Sequence, residues 1–92
     1  MQSSITGPTN QHIVQLSELN PGQAGIIVRV GGQAAARRRL LEMGLVRGET
    51  VYVERVAPLG DPLEFKVKGY HLSLRRRDAA NIHVELNGAE TL

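Results

Sequence analysis

The stretch "ARRRLLEMGLVRG", Ala36 to Gly48, decides how the rest of the chain reads. Ala36, Leu40 and Met43 stand at i, i+4 and i+7, and Leu41 widens the stripe. That is the period of an amphipathic helix. Alanine, arginine, leucine, glutamate and methionine all favour helix. Gly44 suits the left-handed residue just past a helix end, with Leu45 packing back on Leu40. The spacing therefore predicts a helix over roughly Gln33–Met43, stopped by glycine and carrying arginines on its surface.

On both sides of this helix the period changes to two. Before it, "QAGIIVRVGG" (23–32) puts Ala24, Ile26, Val28 and Val30 on one face of a half-buried strand that Gly31-Gly32 ends. After it, Val51 and Val53 point one way and Val56 is out of phase, which predicts a bulge near Glu54-Arg55. "PLGDP" (58–62) is a turn. Leu63, Phe65 and Val67 alternate with Glu64, Lys66 and Lys68, and Tyr70, Leu72 and Leu74 share the next apolar face. "RRRDAANI" (75–82) makes one helical turn, and Ile82, Val84 and Leu86 close the domain. Short strands with one apolar face each must wrap a common core, and curling the sheet removes exposed edges. The expected fold is mainly β: a small, partly open barrel of about five strands with one inserted helix. Its ordered domain is 13–86, between polar tails at 1–12 and 87–92.

Composition narrows the function. A chain of 92 residues is one small domain. It has no cysteine, which excludes disulfides, thiolate metal sites and cysteine nucleophiles and fits a reducing cytoplasm. No apolar run approaches the roughly 20 residues of a membrane span, and the opening residues lack the features of a secretory signal. Membrane insertion is not expected. None of Ser3, Ser4, Ser17 and Ser73 sits in a G-x-S-x-G elbow, and an enzyme is not expected in so small a domain. "VGGQAAARRR" lacks the glycine patterns of a nucleotide loop. His12, His71 and His83 are not at chelating spacings. His71 and His83 read as solvated outward side chains, with a weak metal site formed by either and a carboxylate as the alternative. No catalytic, cofactor or metal residue is assigned.

Six of the eleven basic residues fall in two triplets, Arg37-Arg38-Arg39 and Arg75-Arg76-Arg77. Single-stranded nucleic acid usually needs stacking aromatics beside such charge. Here Phe65 reads inward and only Tyr52 and Tyr70 remain. Contact with protein, or plain solubility, is favoured over nucleic acid. The most basic edge combines Arg37, Arg38 and Arg39 with Arg47, beside Leu45 and Val46. An apolar spot rimmed by arginines is a candidate partner surface. The competing reading puts Leu45 and Val46 in the core and the arginines in water. The edge at Lys66, Lys68 and His71 is the second candidate.

Three segments together resemble the FeoA family of bacterial ferrous iron uptake: "LSELNPGQAGIIVRVGG" (16–32), "RRRLLEMGLVRGETV" (37–51) and "RVAPLGDPLEFKVKGYHLSLRRRDAANIHVE" (55–85). The likeness covers nearly all of the ordered domain, with the motifs in the family's order and spacing. Arg47 stands where the family often has proline, and the polar extension before Ile13 is longer than usual. The resemblance implies an SH3-like barrel and a non-enzymatic cytoplasmic partner of the ferrous iron permease FeoB, acting on that protein's cytosolic region. It implies no catalytic residues and no iron ligands. The same domain type occurs at the C-terminus of DtxR-like metal-responsive repressors. No helix-turn-helix segment precedes it here, which favours the stand-alone transport protein. A regulatory interaction module, or a nucleic-acid-binding barrel using the arginine triplets, remains the alternative.

Overall fold

The computed structural model describes residues 12–86. The central helix, α1, spans Ala34–Glu42, with Gln33 as N-cap and Met43 as C-cap. It stops as the glycine reading requires. Gly44 has a φ of 94°. Its N–H donates to the Leu41 carbonyl at 3.0 Å, and the Leu45 N–H donates to the Leu40 carbonyl at 3.2 Å. These are the paired bonds of a Schellman stop, and the two leucines that such a stop brings together are both fully buried. Met43 is only half-buried. Its carbonyl, which the helix leaves free, accepts a hydrogen bond from the Tyr70 hydroxyl. A Cβ on residue 44 would stand 2.9 Å from that hydroxyl. Gly44 thus meets two demands at once, a left-handed backbone and space for the tyrosine.

The strands are β1 (Ile13–Gln15), β2 (Ala24–Val30), β3 (Thr50–Val56), β4 (Leu63–Val67), β5 (Tyr70–Leu74) and β6 (Ile82–Leu86). They form one antiparallel sheet in the order β1-β6-β2-β3-β4-β5. The sheet has one strand more than the alternation predicts. β1 is three residues long, too short to show a period, and pairing with β6 is what makes it a strand. Among the described residues no ladder joins β5 to β1, so the curl stays open. The tails assigned to 1–12 and 87–92 lie outside the described residues except for His12, whose carbonyl accepts from the Leu86 N–H at 2.9 Å.

The core is aliphatic around one aromatic ring. Phe65 is its largest fully buried side chain, in register with Val53 on β3 and Leu72 on β5. Leu16 and Leu19 come from the 3-10 turn Leu16–Glu18 and its exit, and Ala79 comes from the single turn α2 (Arg76–Ala79). The bulge of β3 falls between Val53 and Arg55, as the phase slip predicts.

β2 departs from the expected phase. Gly25 and Ile27 face the core, and Ala24, Ile26 and Val28 are only half-buried. A register shift between Ile27 and Arg29 then returns Val30 to the core. The run "AGIIV" is apolar in both phases, so alternation could not choose between them. Packing makes the choice. A Cβ on Gly25 would stand 2.7 Å from Val84 Cγ2, so only a residue without a side chain fits beneath that valine.

Arg76 fastens the β3–β4 turn to the body of the domain. Its N–H donates to Asp61 Oδ1 at 2.9 Å, its Nε to the Gly60 carbonyl at 2.9 Å, and its Nη1 to the Ser17 carbonyl at 2.8 Å. The turn so held carries Leu59 at 96% exposure.

Two predictions follow from this packing. Gly44→Ala should lower stability by more than ~1 kcal/mol, through the backbone and the tyrosine together. Combined with Tyr70→Phe, which removes the colliding hydroxyl, the cost should be less than the sum of the single changes. Denaturant unfolding of the four proteins checks this, and strict additivity would contradict it. Arg76→Ala should cost about 1 kcal/mol and speed amide exchange of residues 57–62 more than elsewhere, because the side-chain bonds that hold the turn are lost. Exchange rates that rise uniformly would show that Arg76 holds no particular turn.

Candidate functional site

The bulge in β2 has a consequence on the outside of the sheet. In a regular strand, neighbouring residues point to opposite faces. A bulge turns two consecutive side chains toward one side. Val28 and Arg29 both line an open groove of about 490 Å³ beside α1, together with Val30, Gly31, Gly32, Arg37, Leu41 and Arg47. α1 supplies Arg37 and Leu41, and the loop after its glycine stop supplies Arg47. The two glycines leave one wall without side chains.

The arginines are held in place in different ways. Arg37 Nε donates to the Val30 carbonyl at 3.0 Å, which pins the side chain across the strand end, and among the described residues its terminal nitrogens have no hydrogen-bond partner. Arg29 Nη2 lies 4.0 Å from where a Cβ on Gly31 would stand. Among the described residues the ion pairs are Arg39–Asp78 at 3.2 Å, Arg55–Glu64 at 3.4 Å, Lys68–Glu49 at 3.7 Å and His71–Glu54 at 2.7 Å. None involves Arg29, Arg37 or Arg47, and no carboxylate lines the groove.

The sequence-derived surface is therefore divided by the fold. Arg37 and Arg47 come together. Arg38 is exposed but does not line the groove, and Arg39 turns to Asp78 beside α2. Leu45 is fully buried, so it belongs to the core and is no exposed anchor, because the helix stop drives it inward. Val46 is half-buried. Arg29 was missed by the sequence reading, since simple alternation places it opposite Val28. The double apolar phase of "AGIIVRV" is the signal of a bulge that could have revealed it.

The second candidate edge is largely occupied from within. Lys68 pairs with Glu49, and His71 Nδ1 meets Glu54 Oε1. His71 is exposed, as expected. His83 is half-buried rather than solvated, and its Nδ1 is buried with no hydrogen-bond partner. It lies between Gln15 and Arg29 in the sheet register. The described residues contain no group of three or more histidines, cysteines or carboxylates placed to hold a metal ion.

Comparison with known proteins places this geometry in a family. The model of the FeoA domain matches residues 14–86. An Fe(2+) transport protein A/Fe(2+) transporter FeoB fusion protein from Porphyromonas gingivalis is 51% identical over 73 residues, which is 79% of this chain and 9% of that relative. The chain thus spans less than a tenth of the relative's length. The solution structure of FeoA from Chlorobium tepidum is 43% identical, with a TM-score of 0.76 over 85% of this chain and 75% of that one. Stenotrophomonas maltophilia FeoA, a prokaryotic SH3 domain protein solved in complex with zinc, is 32% identical, with a TM-score of 0.66 over 80% of this chain and 89% of that one. The fold is accordingly SH3-like. The family match over nearly every described residue, with identity this high across the same span, means that the chain belongs to the FeoA domain family.

Proposed function

We propose that this protein is a non-enzymatic accessory of ferrous iron uptake that works by contact with the cytosolic region of the FeoB permease. The observation that carries the reading is the Porphyromonas gingivalis relative, in which a domain 51% identical to this one shares a chain with a FeoB transporter. Two modules joined by a short linker meet at an effective concentration of about millimolar. A fusion of that kind is useful where the modules act on one another or on the same process.

The surface supports contact better than catalysis. The groove between β2 and α1 is open and lined by arginines, glycines and aliphatic side chains, with no nucleophile or carboxylate among its described lining residues. Arginine is the cation best suited to protein interfaces, because its planar fork pairs carboxylates at two points. The contact face of this reading is Arg37 and Arg47 with Arg29 and the half-buried Val46, while Arg38 is exposed on α1 outside the groove. Nucleic acid is disfavoured by the use of both triplets. Arg39 and Arg76 are spent on internal bonds, and Phe65 is core.

The expected outcome is saturable binding between the full chain and the isolated cytosolic region of a FeoB from the same genome, measured by calorimetry. Deleting the gene should lower ferrous iron uptake, and a plasmid copy should restore it. Normal uptake in the deletion strain, with no heat of binding, would defeat the reading.

A further inference from the structure

We propose that the groove between β2 and α1 is a carboxylate-binding site that receives an acidic peptide segment of a protein partner. The inference rests on the reading that this chain works through protein contact, and it names the chemistry of that contact.

Three observations carry it. The first is charge. Arg29, Arg37 and Arg47 bring three positive charges to one groove, more than the formal net charge of +2 of the whole chain. The rest of the molecule is on balance slightly acidic, so the groove is a local concentration of positive charge and not a sample of a basic surface. Such a concentration raises encounter rates with an anionic partner. The second is the lack of internal neutralisation. Among the described residues the other close charge pairs are made elsewhere, and the groove arginines have none. Arg37 is nevertheless fixed, because its Nε is tied to the Val30 carbonyl. A guanidinium held by one nitrogen, with no partner for the others among the described residues, is pre-oriented, so less side-chain freedom is lost when a carboxylate pairs with it.

The third is shape and lining. A volume of about 490 Å³ is more than one inorganic anion needs and lies within the roughly 300–1,000 Å³ of sites that take larger ligands. Val28 and Leu41 are half-buried in it, which suits an apolar residue between acidic ones. Gly31 and Gly32 add no side chain to the groove, and Asn81 fills the space beside Gly32. None of the three aromatic residues lines the groove, so it has no platform for bases, and this favours peptide over nucleic acid.

The test uses the full chain and 1H–15N spectra. The probe is a blocked peptide with three Asp or Glu residues around one Leu. Its Asn/Gln counterpart, inorganic phosphate and a short oligothymidylate are the other arms. The acidic peptide should shift the signals of residues 28–32, 37, 41 and 47 saturably, and the amide counterpart should bind at least tenfold more weakly. Arg29→Gln with Arg47→Gln should weaken the acidic peptide at least tenfold at an unchanged melting temperature. Arg38→Gln, outside the groove, should change it less than twofold. Equal binding of the amide peptide, shifts mapping to another face, or tighter binding of phosphate or oligothymidylate at the groove would overturn the proposal. Since no permease is in the tube, these results are independent of whether FeoB is the partner. Binding to FeoB that survives the double Arg→Gln change would sink the groove and leave the partner standing.

Discussion

The approach of Val84 to the bare Cα of Gly25 is the contact on which the rest of the arrangement depends. β2 is hydrogen-bonded on both sides, to β3 and to β6, so its phase is shared by the whole sheet. With Gly25 beneath Val84, Ile27 must face the core. Val30 must do so as well, since it leads the chain toward α1. Two inward residues three apart are incompatible with strict alternation, and the bulge between Ile27 and Arg29 absorbs the mismatch. The bulge lies at the start of the stretch of β2, from Val28 to Val30, that lines the groove beside α1. A packing constraint inside the sheet thus bears on the groove outside it.

The two arginine triplets look alike in sequence and are used differently. Within the first, Arg37 is tied to a backbone carbonyl at the end of β2, Arg39 bridges to Asp78, and Arg38 remains on the surface. Within the second, Arg76 bonds to Asp61, Gly60 and Ser17 and joins three separate parts of the chain. A small domain with a thin aliphatic core has little margin, and bonds from charged donors to backbone carbonyls are among the stronger polar contributions available to it. Exposed ion pairs add less. Charge counted along the sequence therefore overstates the charge available to a partner. Among the described residues, three arginines outside those ion pairs, Arg29, Arg37 and Arg47, meet where β2, α1 and the following loop converge.

That convergence also suits the family's setting. In the Porphyromonas gingivalis relative a similar domain is joined to a large transporter, and the solved FeoA structures hold the same fold. Here the groove is built on a paired strand and on a helix closed by a Schellman stop and a tyrosine hydroxyl. Sites on such elements are held more closely than sites on loops alone.

Much of the fold was legible in the sequence because local chemistry dictates it. The spacing of Ala36, Leu40 and Met43 and the glycine that follows define α1 and its stop, since both depend on residues within two turns of each other. The clean alternation of β4 and β6, and the phase slip in β3, could be read for the same reason. The motif order likewise identified the family before any coordinates. Three things were decided only by the tertiary structure. β1 is a strand only because β6 lies beside it, and three residues carry no period of their own. The inward face of β2 follows from Val84, which is about sixty residues away in the chain. The membership of the groove, with Arg29 in, Arg39 out and Leu45 buried, follows from a bulge and a helix stop acting together in space. Periodicity reports which residues are apolar, but when both phases of a strand are apolar, only the neighbour that must fit against it can choose.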